Sequence, residues 1–191
     1  MRLLIDIVIG IVVAATIGIS SAWFAVERGE LFGAVSAGVW TAWPRVGSAE
    51  TDPYTLATLA RTGEVPLGAG EGLAFTATSD GSGQPLDGVC TYEIVGQTPP
   101  ARLWTLTAYD NNGRLMVNAA RRTGFHSREI LRRVDGGFVV AVSAAVQPGN
   151  WLPLGIVERF RLVLRLYDTP LTTGSQIGDL TMPEIRRTSC A

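Results

Sequence analysis

From Phe160 to Tyr167 apolar and polar positions alternate without a break. Phe160, Leu162, Leu164 and Leu166 fall on one face, and Arg161, Val163, Arg165 and Tyr167 on the other. A two-residue period over this length predicts a half-buried strand. Pro153 upstream and Pro170 downstream bound the stretch, because proline cannot donate to a sheet ladder. Similar alternation, or strand-forming residues between turn formers, predicts further strands over 73–78, 90–95, 102–109 and 138–144, with a last one over 180–185. Asp110-Asn111-Asn112-Gly113 predicts a hairpin turn that returns into 115–117. Short strands separated by Gly/Pro turns predict a mainly β fold, an antiparallel β-sandwich of jelly-roll type.

Three stretches read as helical instead. Residues 3–24 are apolar apart from Asp6, Thr16, Ser20 and Ser21, long enough to cross a hydrocarbon core of about 30 Å. Trp23 and Phe24 then stand where aromatic residues favour a membrane interface. Ser20-Ser21-Ala22 offers a signal-peptidase site as the alternative to a retained transmembrane anchor. Leu31, Val35, Val39 and Trp43 have helix-like spacing, so 25–50 reads as a juxtamembrane helix or linker with its tryptophans as interface or core residues. Asp52-Pro53 is a helix start, followed by an apolar face of Tyr54, Leu56, Ala57, Leu59 and Ala60 and a stop at Gly63. This short helix is expected to dock on the sheet. The chain thus divides into an anchor (1–24), a connecting segment (25–50) and an exported β-domain (51–191).

Composition alters the picture only in part. A net charge of −1 over 191 residues gives no reason to expect a nucleic-acid partner. All 16 basic residues are arginine, which coding bias in a GC-rich genome explains more simply than selection for anion contacts. Arg121, Arg122, Arg128, Arg132 and Arg133 cluster, but Glu129 and Asp135 partly answer them and a solvated connection is the simpler reading. Cys90 and Cys190 lack the spacing of a zinc or redox pair; outside the cytosol they are expected to form a disulfide. His126 is the lone histidine, no nucleophile elbow accompanies it, and no glycine-rich phosphate loop is present. No metal or cofactor is therefore expected.

The residues laid out above also resemble a known family. Asp-Pro-Tyr-Thr at 52–55, Leu-Asp-Gly at 86–88, Trp-Thr-Leu-Thr at 104–107 with Tyr109-Asp110, Asp135-Gly136, Asn-Trp-Leu-Pro at 150–153 and Leu-Arg-Leu-Tyr at 164–167 occur in order. Their sequence resembles family 1214 of the domains of unknown function, in its short form with one N-terminal membrane span. The resemblance implies a jelly-roll β-sandwich and carries over no activity. From its motifs the candidate ligand-binding residues are Asn150, Trp151, Arg165, Tyr167, Tyr109 and Asp110; in the simpler reading Asn150 ties down its loop, Trp151 fills the end of the sandwich and Arg165 is paired internally.

Two functional readings follow. The first is a non-catalytic module of a bacterial cell envelope, held in the inner membrane by 3–24 with its C-terminal domain in the periplasm, where it binds a glycan, a small anionic ligand or a partner protein. The second is an envelope hydrolase acting on a small or cell-wall substrate. A cavity with convergent carboxylates near Asn150 and Arg165 would favour the hydrolase.

Overall fold

A computed structural model describes residues 2–28, 33–173, 177 and 180–190. Its architecture is mainly β, with ten strands in two sheets. The first sheet has strands β1 (Val35–Ala37), β2 (Trp40–Ala42), β3 (Gly72–Ala77), β5 (Leu103–Asp110), β6 (Gly124–His126) and β9 (Phe160–Tyr167), in the order β1-β2-β3-β9-β5-β6. The second has β4 (Cys90–Gly96), β7 (Phe138–Ser143), β8 (Asn150–Pro153) and β10 (Glu184–Cys190), in the order β10-β4-β7-β8. Their apolar faces share one core. Tyr92 of β4 meets Phe160 of β9 edge-on at 5.6 Å, and Trp104 of β5 lies 5.0 Å from Phe138 of β7.

The alternation of β9 predicts its environment correctly. Phe160, Leu162, Leu164 and Leu166 are all buried in the core, while Arg161, Arg165 and Tyr167 remain partly exposed on the other face. Both neighbours of β9, β3 and β5, run antiparallel to it, so it is a central strand. One pair departs from the antiparallel expectation: β8 runs parallel to β7, with Val140 opposite Asn150. The chain returns between them through a turn at Gly149, whose φ is +77°. Pro153 ends β8 at the edge of its sheet, where a missing N–H costs no ladder bond.

Several expected elements shift. The helix-like spacing of Val35, Val39 and Trp43 belongs to a hairpin, β1–β2, which extends the six-stranded sheet; Leu31 lies outside the described residues. Gly38, at φ +62°, takes the first central position of the two-residue turn, a place that glycine fills without steric cost. Ala37, Trp40 and Ala42 then point inward. The 110–113 turn forms, with Gly113 N–H donating to Asp110 O at 3.1 Å, but its return makes a single bridge, Tyr109 to Leu115, in place of a strand. The ladder position beside β5 goes to β6. The last strand starts at Glu184, four residues later than the expected 180.

Two interactions pin β10. Trp40 Nε1 donates to Pro183 O at 2.7 Å, just before the strand, and Cys190 at its far end is joined to Cys90 in a disulfide. Trp40→Phe orphans that carbonyl beneath the core. We expect a loss of about 1–3 kcal/mol, read as a lower denaturant midpoint at unchanged slope.

Among the described residues Asp80 is the buried carboxylate. Burial raises its pKa, but the hydroxyl of Ser82, the N–H groups of Gln84 and Ser82, and Arg187 pull harder, so the net shift is downward. Arg187 Nε lies 2.8 Å from Asp80 Oδ2 but off the hydrogen-bond axis, leaving an ion pair. A carboxylate with a depressed folded-state pKa contributes stability above its unfolded value of about 3.9, lost as pH falls through the folded value. Urea midpoints should therefore fall more steeply below about pH 4 in the native protein than in Asp80→Asn.

The N-terminal helix α1 (Arg2–Arg28) is long and apolar enough to cross a membrane, and its apolar residues are exposed. It meets helix α2 (Pro53–Thr62) through Arg61, whose guanidinium pairs with Glu27 and lies 4.8 Å over the Trp23 ring.

Candidate anion-binding cleft

Helix α2 begins as its sequence predicts. Asp52 accepts from the N–H groups of Tyr54 and Thr55, both at 3.0 Å, with Pro53 in the first turn and Gly63 closing the helix at φ +69°. Its face differs from expectation. Thr55 and Thr58 are the buried residues, whereas Tyr54 and Leu56 are exposed. The helix therefore turns a threonine face, not an apolar one, toward the sheet.

Beneath it lies a cleft of about 250 Å³ on the outer face of the six-stranded sheet. Strand β9 contributes Arg161, Val163 and Arg165, successive residues of its outer face. Strand β3 contributes Gly72, Ala74 and Thr76, and the register sets Ala74 beside Arg165 and Thr76 beside Val163. Small side chains on β3 leave the depth of the cleft. Thr58, Leu59 and Thr62 line it from α2, Trp43, Pro44 and Val46 from the segment after β2, and residues 64–67 complete the rim.

The two arginines define its chemistry. Arg165 Nη1 donates to Tyr109 Oη at 3.0 Å, and its guanidinium carbon is 5.4 Å from that ring. The guanidinium carbon of Arg161 stands 5.9 Å from the centre of the same ring, and its Nε is buried without a hydrogen-bond partner. Among the described residues neither guanidinium has a carboxylate within ion-pair distance. Unanswered donors on a half-buried arginine are costly unless a ligand meets them. A guanidinium fork suits a carboxylate, phosphate or sulfate, which accept bidentate, charge-assisted bonds. Glu64, exposed on the rim, is the acidic residue among those lining the cleft.

The candidate residues named from sequence divide between the two sheets. Arg165 lies in the cleft with Tyr109 against it; Tyr167 is on the same strand face, and Asp110 binds its own turn, accepting from Asn112 and Arg114 N–H at 2.9 and 2.8 Å. Asn150 and Trp151 are on β8 of the other sheet. Asn150 is a clamp: its amide joins Leu131 N–H and O at 2.8 Å each and Val139 O at 2.9 Å. Trp151 Nε1 donates to Ser143 O at 3.1 Å. Arg161, on the same alternating face as Arg165, and Trp43 complete the cleft although sequence reasoning did not place them in a site. His126 is exposed and tied to its own turn through Arg128 N–H and Glu129. Among the described residues no group of His, Cys, Asp or Glu is arranged to hold a metal ion.

The fold and cleft define a two-sheet β-domain with an arginine-lined groove under a short helix. The chain belongs to the family described as Protein of unknown function (DUF1214), whose model matches residues 71–171, from the start of β3 past the end of β9. Among solved structures it is similar to the VPA0106 protein from Vibrio parahaemolyticus, at 24% identity and a TM-score of 0.59 over 76% of this chain. It is also similar to a putative uncharacterized protein from Burkholderia cenocepacia, at 14% identity and a TM-score of 0.45, covering 90% of this chain and 50% of that one. The chain spans 37% of the length of the Vibrio protein, and that likeness speaks to the fold alone. No curated protein matches the sequence.

Proposed function

We propose that this protein is a membrane-anchored binding module of the cell envelope whose cleft between α2 and β9 takes a small anionic ligand. The observation that carries the reading is the pair Arg161 and Arg165, without carboxylate partners among the described residues and with one buried Nε unanswered. The threonine face of α2 adds hydroxyls, and the small residues of β3 provide room. A binding role is favoured over hydrolysis because the cleft brings together cations, not a carboxylate pair.

The envelope placement rests on two features. Helix α1 presents apolar side chains to its surroundings, an arrangement that a bilayer satisfies, and the Cys90–Cys190 disulfide suits an oxidising compartment. A retained anchor keeps the full chain in the membrane pellet after alkaline extraction; cleavage near Ser20-Ser21-Ala22 would release a shorter soluble protein and refute anchoring.

Ala74→Leu tests the cleft itself. The larger side chain projects from β3 beside Arg165 and fills the groove without entering the core. Calorimetric titration of the full chain with inorganic phosphate and with acetate should show binding that Ala74→Leu abolishes at unchanged melting temperature. Equal binding by both proteins would place the anion elsewhere.

A further inference from the structure

The cleft is charged on its floor and apolar at its opening. Arg161 and Arg165 are held on β9, whereas Leu59 and Pro66 line the walls and Val65 stands 89% exposed at the rim. An 89%-exposed valine beside a groove is apolar surface with nothing over it. The rim also has a fixed neighbour. Thr62, Glu64 and Val65 follow directly after Arg61, the residue that pairs with Glu27 and lies over Trp23 at the C-terminal end of α1. On the far side of α2 from Thr55 and Thr58, Leu56, Ala57 and Ala60 are exposed as well. If α1 spans a bilayer, its Trp23–Phe24 end lies at headgroup level, and the opening of the cleft lies beside it.

The geometry points to an anionic amphiphile as the ligand: its head on Arg161 and Arg165, and the first part of its apolar chain along Leu59, Val65 and Pro66. This rests on the anion-binding reading above and narrows it. A cleft of about 250 Å³ suits a head and a short length of chain, with the rest of the chain passing out over the rim. Glu64 does not oppose this arrangement, because it is exposed at the rim where solvent screens its charge. The shared chemistry, a single anionic head on an apolar chain, is offered by bilayer lipid and by free fatty acid alike.

The test uses the full chain in phosphatidylcholine nanodiscs, titrated with acetate, hexanoate and decanoate against empty-disc blanks. Each methylene that the cleft buries should tighten binding by about fourfold. Hexanoate should therefore bind at least tenfold more tightly than acetate, about what two buried methylenes supply. Val65→Ser should weaken decanoate more than acetate, and Arg161→Met should weaken all three by at least tenfold. Equal affinities for the three acids, still weakened in Arg161→Met, would overturn the amphiphile and leave the anion site standing. A chain-length dependence that Arg161→Met does not alter would overturn both, since it would report partition into the disc. Discs containing phosphatidylglycerol assign the source: weaker decanoate binding shows that bilayer lipid competes for the cleft, and unchanged binding shows a free amphiphile, either outcome supporting the proposal.

Discussion

Replacing Cys90 and Cys190 together by alanine should lower the unfolding free energy by up to roughly 4–5 kcal/mol, the chain-entropy value for a loop of this length. The bond joins residues 100 apart in sequence, so its main effect is on the unfolded chain. That loss approaches the whole stability of many domains, typically about 5–15 kcal/mol. It should also be local in its first expression. Strand β10 is an edge strand with Ile185 as its one buried residue, held along β4 by ladder bonds, by the disulfide at one end and by the Trp40 bond to Pro183 at the other. Hydrogen exchange in the double variant should rise first in residues 186–190, before β4 and β7 lose protection. A midpoint shift equivalent to less than about 1 kcal/mol would mean that the disulfide constrains little.

The second large effect is expected at the cleft. Arg161→Met and Arg165→Met each remove one fork of the proposed anion site, and each should weaken phosphate or acetate binding by at least tenfold, as expected for a hydrogen bond to a charged group of about 1.5–3 kcal/mol. Their effects on the ligand-free protein should differ. Arg161 carries a buried, unanswered Nε, so methionine in its place should be neutral or stabilising. Arg165 donates to Tyr109, so its loss should cost about 1 kcal/mol through that bond. Double-variant binding no weaker than that of either single variant would show that the two forks hold one ligand. Melting curves and calorimetry on the same preparations separate the two quantities.

The sequence made some of this architecture readable and hid the rest for physical reasons. Strand β9 was legible because its alternation is strict and its core face is filled by large apolar residues, all buried. The same alternation placed Arg165 on the polar face, and the structure sets it against Tyr109 as part of the cleft. The β1–β2 hairpin was not legible: small residues around Gly38 let a four-residue spacing of larger ones imitate a helix. The docking face of α2 misled for a different reason. Apolar residues ordinarily mark the inward face of a helix, but here Thr55 is fully buried and Thr58 lines a groove containing two cations, while Tyr54 and Leu56 are exposed. Asn150 and Trp151 stand out as a motif because they secure a connection, with three side-chain bonds from Asn150 alone to backbone distant in sequence. The cleft could not be read locally, since its walls come from β3, β9, α2 and the segment after β2, elements brought together only by the fold.

The most direct test of the central claim is at the Arg161 Nε–Hε group. Its ¹⁵N–¹H resonance, assigned by its disappearance in Arg161→Lys, should be followed as phosphate is added to the full chain. An anion held in the cleft predicts a large, saturable shift of that signal with Arg165 moving in parallel, and no saturable shift of the exposed Arg102 and Arg186. An Arg161 signal that stays in place while phosphate binds elsewhere would contradict the account.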